Sequence, residues 1–205
     1  LPSCRHQTMM KPISRSPKAK AANLQATLTQ FRRAVYAAKS IRAGLTKARA
    51  QVPANYVPAI VAELLKDRAL SGHIVINPFP TDFDRFTNHL RLTSIDPDRE
   101  FLWTASVLRH YADQISHFAA LKAEFEHAFI SGDMDRAGAA LDQVAQELGV
   151  SLWYLENKIQ FIQLTQGLSA QKTSLETTIS HPKIDIFAGL LGYYFSMRSE
   201  ENYSF

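Results

Sequence analysis

Five polar residues that stand close together, His110, Asp113, His117, Glu124 and His127, are of types that could do chemistry. On one uninterrupted helix His110, His117 and Glu124 are spaced i, i+7 and i+14, which puts them on one face. Glu124 and His127 add a Glu-x-x-His pair, half of what a carboxylate-bridged di-iron bundle requires. Such a site needs a second Glu-x-x-His pair and two more glutamates from other helices. The chain holds no second pair, so the five residues read as a solvated helix face and no metal ligand is expected. Nor does it contain Gly-x-Gly-x-x-Gly, a Gly-x-x-x-x-Gly-Lys phosphate loop, His-Glu-x-x-His or Gly-x-Ser-x-Gly. Cys4 lies in a stretch without periodicity, far from anything that would lower its pKa. No catalytic residue, metal or cofactor is therefore expected.

The bulk composition narrows the class. The 205 residues are 46% hydrophobic and 20% charged, the balance of a soluble globular chain. No apolar run nears the roughly 18–20 residues of a membrane span. One cysteine excludes an internal disulfide and a cysteine-based zinc site, and nothing calls for an oxidising compartment, so the expected setting is cytoplasmic. Charge is unevenly spread: residues 1–62 carry eleven Lys or Arg and no acid, and from Glu63 onward twelve bases face nineteen acids. A basic front joined to an acidic body has four readings. Residues 11–49 could bind nucleic acid or an anionic surface through Arg32, Arg33, Lys39, Arg42, Lys47 and Arg49. They could lie on a membrane as a weakly amphipathic helix, or serve as an organelle import presequence. In the fourth reading the apolar stripe simply packs on the acidic body, with complementary charge across the joint.

The spacing of apolar residues then supplies the elements. Residues 1–20 hold three prolines and no periodicity, which predicts a disordered tail; the leading Leu makes Met9 or Met10 a candidate start. Leu24, Leu28, Phe31, Val35, Ala38, Ile41 and Leu45 recur at helical spacing, which predicts one helix from about 21 to 51, weakened by Gly44 and ended by Pro53. A second helix is expected from about 55 to 70, closed by Ser71-Gly72. His73–Asn77 reads as extended. Thr81 or Asp82 can cap a short helix to about Leu92. Ser94–Asp98 opens a helix to about Ala112, and the pattern resumes from Ile115 to Ile130.

In "AFISGDMDRAGAALDQVAQELGVSLW" (residues 128–153), Gly132 ends one helix in a left-handed turn and Asp133 or Asp135 caps the next. Gly149 stops that helix, and Ser151 caps a third. Gly167 turns the chain again into a helix from about Ser169 to Ile179, which Pro182 terminates. Gly132 and Gly167, 35 residues apart, each stand at the elbow of a helical hairpin. A helix–turn–helix period of about 34 residues marks a solenoid, whose hairpins bury their faces only against neighbours.

The residues "GDMDRAGAALDQVAQ" resemble the elbow and second helix of a tetratricopeptide repeat, with Gly132, Asp133 and a small Ala137 where the two helices touch. Aligned on that elbow, residues 118–151 form one unit. The next, from Leu152, has its elbow at Gly167 and its small contact residue at Ala170. "LLGYYF" (190–195) is similar to the signature of a first helix. The resemblance covers about 118–197 and departs from the family at Leu121 and Glu124-Phe125, where a Trp and a Leu-Gly would stand. It implies an array that holds peptides or proteins on its concave side. An array ending in half a unit leaves an apolar face. Either 186–195 docks back as a cap, or the solenoid continues in a longer protein, or a partner covers it. The expectation is thus an all-α protein in three parts: a basic tail (1–20), an N-terminal helical segment (21–112) and a short tetratricopeptide-like array (113–205). The expected function is that of a non-catalytic scaffold or adaptor for another protein, with nucleic-acid or anionic-surface binding through 11–49 as the alternative.

Overall fold

The computed structural model describes residues 17–75, 78–84, 96–181 and 184–200. Among the described residues the regular structure is entirely helical: α1 (Pro17–Tyr36), α2 (Ile41–Gln51), α3 (Val57–Lys66), α4 (Ser71–Ile74), α5 (Pro97–His110), α6 (Ala112–Ser131), α7 (Met134–Leu148), α8 (Leu152–Gln166), α9 (Leu168–Ile179) and α10 (Ile186–Arg198). No helix among them is long and apolar enough to cross a membrane. The chain divides into two compact units, residues 1–66 with 94–106 and residues 67–93 with 107–205. The expected segment 21–112 is shared between them. Cys4, Met9, Met10, Pro182 and nearly all of the short helix expected to reach Leu92 lie outside the described residues.

In the first unit the stripe that suggested one long helix is split. Ala37–Ser40 interrupt it, and Ser40 caps α2 by accepting the Ala43 N–H at 3.2 Å. The apolar spacing continues across the break, so periodicity alone runs straight through it. Gly44 has a different part from the one expected. A Cβ there would lie 2.7 Å from the Val35 Cα, so the missing side chain is what lets α2 fold back onto α1. Leu28, Phe31, Val35 and Leu45 are buried, as are Val57, Ile60, Val61 and Leu64, which α3 contributes. Trp103 from α5 stacks on Phe31, with ring centroids 6.2 Å apart. Helix α1 also begins earlier than expected, at Pro17 inside the supposed tail; proline suits a first helical position because its missing N–H has no partner to lose there.

In the second unit the hairpin signals fall at helix ends. Gly132 takes the left-handed conformation (φ 81°, ψ 7°), the Asp133 N–H reaches back to the Ala128 carbonyl, and Asp133 then caps α7 by accepting the Arg136 N–H at 3.2 Å. Helices α6 and α7 run antiparallel: Glu124 meets Arg136 near the elbow (3.0 Å) and His117 meets Glu147 far from it (2.7 Å). Helices α8 and α9 pack together across Gly167, and α10 packs on both of them. Ser71 and Gly72 do not close a helix; they begin the four-residue α4. Residues 81–84 are bent, with the Asp82 carboxylate accepting the Asp84 N–H at 3.2 Å. This irregular stretch ties the unit together. The Pro80 carbonyl receives the Val150 N–H (2.7 Å), the Phe83 carbonyl receives that of Asp185 (2.8 Å), and Phe83 packs against two core clusters, one around Phe125 and Leu141 and one around Leu155 and Leu175.

Candidate functional site

The polar row His110, Asp113, His117, Glu124 and His127 is taken apart by the fold. Tyr111 (φ −101°, ψ 19°) separates α5 from α6, so His110 and His117 do not share a helix. His110 ends α5 with its ring edge-on to Tyr111 at 5.0 Å. His117 pairs with Glu147 and Glu124 with Arg136, both across the α6–α7 hairpin. Asp113 and His127 are exposed. No group of three potential metal ligands occurs among the described residues. The hydrogen bond from His117, helped by one from Gln143, holds the Glu147 carboxyl below the ordinary glutamate value.

The six basic residues have different fates. Arg49 is committed inside the first unit, 2.6 Å from Glu100 and with its guanidinium 4.5 Å over the Trp103 ring. Beside it, Arg99 donates to the carbonyls of Val52 (2.7 Å) and Arg49 (3.5 Å), satisfying the end of α2. Arg32 is half-buried, whereas Arg33, Lys39, Arg42 and Lys47 are exposed. Arg42 and Lys47, five residues apart on α2, point roughly 140° from each other.

The elbow residues divide similarly. Ala137 is fully buried where α6 and α7 touch. Gly167 has positive φ (86°) and its N–H reaches the Gln163 carbonyl at 3.0 Å. Ala170 is only half-buried; the fully buried position on α9 is its neighbour Gln171, whose amide oxygen accepts from the Ser196 hydroxyl at 3.3 Å. The reason lies in α10, which presses Ser196 onto α9 at that level and brings Lys172 within 3.0 Å of the same hydroxyl.

Two features of the second unit escaped the sequence reading. One is a cavity of ≈ 400 Å³ with Leu155, Ile159 and Leu175 at its wall and Lys158, Thr178 and His181 among its polar lining. Its volume is within the range of sites that take a small molecule or an apolar side chain. The other is the two-sidedness of α10. Its inner positions are small and buried, Ala188, Gly192 and Ser196. A Cβ at Gly192 would lie 3.0 Å from Leu175, 3.7 Å from Leu155 and 3.9 Å from Ile179. Its outer positions are large, apolar and exposed: Ile186 (80%), Leu190 (64%), Tyr193 (54%) and Met197 (47%), flanked by Phe187 (51%) and Tyr194 (54%). No charged residue interrupts the twelve positions from 186 to 197.

A surface helix ordinarily buries its large residues and turns polar ones to water; α10 does so only with Leu191 and Phe195, which are half-buried, Phe195 against the Leu155–Leu175 cluster, and leaves six large side chains exposed. The signal was present in "IFAGLLGYYFSM", where Ala, Gly and Ser recur every four residues among large side chains. Six large side chains at about half exposure present roughly 600–800 Å² of apolar surface, more than the few hundred Å² usual on a monomer and close to one side of a standard interface. Compared with known protein families, with curated proteins and with solved structures, the chain finds no match in any of the three.

Proposed function

We propose that this protein is a non-catalytic scaffold or adaptor. In this reading the second unit is a short array of tetratricopeptide-like hairpins, α6–α7 and α8–α9, and α10 carries the contact face. The observation that carries the proposal is the outer face of α10, an uncharged apolar surface of interface size on a helix already docked through its other side. The ≈ 400 Å³ cavity would supplement it by taking an apolar side chain from a bound segment. With a single cysteine and no need for oxidation, the cytoplasm is the proposed setting.

The second reading, binding of nucleic acid or an anionic surface, is supported by the four exposed cations Arg33, Lys39, Arg42 and Lys47. Deleting 1–50 would not separate the two, because Phe31 and Val35 belong to the first unit's core. Charge reversal of the four cations does. Weak heparin retention, scarcely altered by reversal, together with a protein–protein association that is lost on Leu190→Glu, is the expected outcome. Strong retention that collapses between low and moderate salt, and disappears on reversal, would favour the second reading instead.

A further inference from the structure

Resting on that reading, we infer that the occupant of the α10 face is a second copy of this chain, packed antiparallel about a two-fold axis. The outer residues Ile186, Leu190, Tyr193 and Met197 follow one another at intervals of four, three and four, the spacing of a coiled-coil seam, which fits a helix lying nearly parallel to its own axis. The seam is also its own complement. Placing the axis midway between Leu190 and Tyr193 sets Leu190 against the Tyr193 of the other copy and Ile186 against its Met197. The charged residues at the two ends are engaged within the chain, Asp185 capping α10 through the Phe187 N–H (2.9 Å) and Arg198 pairing with Glu156 (3.2 Å). Helix dipoles favour the antiparallel arrangement. Between the charged ends nothing on the outer stripe repels a like surface.

Area supports the same occupant. Each copy would contribute roughly 600–800 Å², so the pair buries about 1,200–1,600 Å², the size of a stable protein–protein interface. A two-fold contact uses the same patch twice and closes, so it leaves no second sticky face to build fibres. Phe187 and Tyr194 broaden the seam on one side and give it the aromatic content of interface cores.

The test is sedimentation equilibrium of the full chain across a micromolar concentration series, with Leu190→Glu/Tyr193→Glu as the disrupting variant. Both positions are exposed, so helical circular dichroism should not change. The wild type is expected to sediment as a dimer and the variant as a monomer, its dissociation constant raised at least about a hundredfold by charges buried without partners. In a Cys4→Ser background, Ile186→Cys combined with Met197→Cys should cross-link on oxidation, while either cysteine alone should not. Wild-type chain that stays monomeric overturns the proposal. If a different protein then binds the wild type and not the double-glutamate variant, the second copy is wrong while the adaptor face stands. If neither mass nor partner binding responds to the glutamates, both readings fall.

Discussion

Glu147 accepts hydrogen bonds from His117 (2.7 Å) and Gln143 (2.9 Å), and these hold its carboxyl below the ordinary value. A carboxyl with a lowered folded value is kept ionised more readily by the native state than by the unfolded chain. The stabilisation is therefore present above the unfolded carboxylate range and is lost as pH falls through the lowered value. Carbon-13 titration of the Glu147 side chain should report a midpoint below that of an ordinary glutamate, and His117→Ala should return it upward. Added salt should narrow the difference, because the pair is exposed. Such surface pairs register a hairpin more than they stabilise it. Sequence distance hid this pairing: His117 and Glu147 stand thirty residues apart and meet only once Gly132 has folded α7 back along α6.

Helix crossings rest on small residues, and two glycines show what decides their tolerance. At Gly44 an added Cβ would meet the Val35 backbone, which cannot yield; at Gly192 it would meet the tip of Leu175, which can. Gly44→Ala is therefore expected to cost about 2 kcal/mol or more. Gly192→Ala should stay within about 1 kcal/mol of neutral, since alanine's better helix propensity offsets the tighter contact. Thermal denaturation of the two variants measures the contrast, and equal losses would mean that the crossings are not set by these positions. At this scale the sequence was most legible where a helix ends: Asp133, Ser151 and Gly132 act through local backbone chemistry that needs no knowledge of the fold. The break at 37–40 was hidden because the turn preserves the apolar spacing on both sides. Ala170 was assigned the contact that Gln171 makes because its burial depends on α10, a helix remote in sequence.

For the molecule as a whole, the legible part was the class. Helical periodicity and a pair of elbows 35 residues apart implied an all-helical chain, and the described residues form one. What composition could not convey is which side of an all-round apolar helix faces water. That depends on the small stripe Ala188, Gly192 and Ser196 being chosen for the inside. The exposed stripe left outside is the basis for reading the protein as one that works by contact with protein, through its own second copy. Met197 reports on that face directly, since thioether oxidation by dilute peroxide follows exposure. Peptide mass spectrometry can follow its rate from dilute to concentrated protein, with the half-buried Met134 as internal reference. The Met197 rate should fall several-fold relative to Met134 as concentration rises, and should stay high in Leu190→Glu/Tyr193→Glu. A Met197 rate that is high and constant at every concentration, in wild type and variant alike, would contradict it.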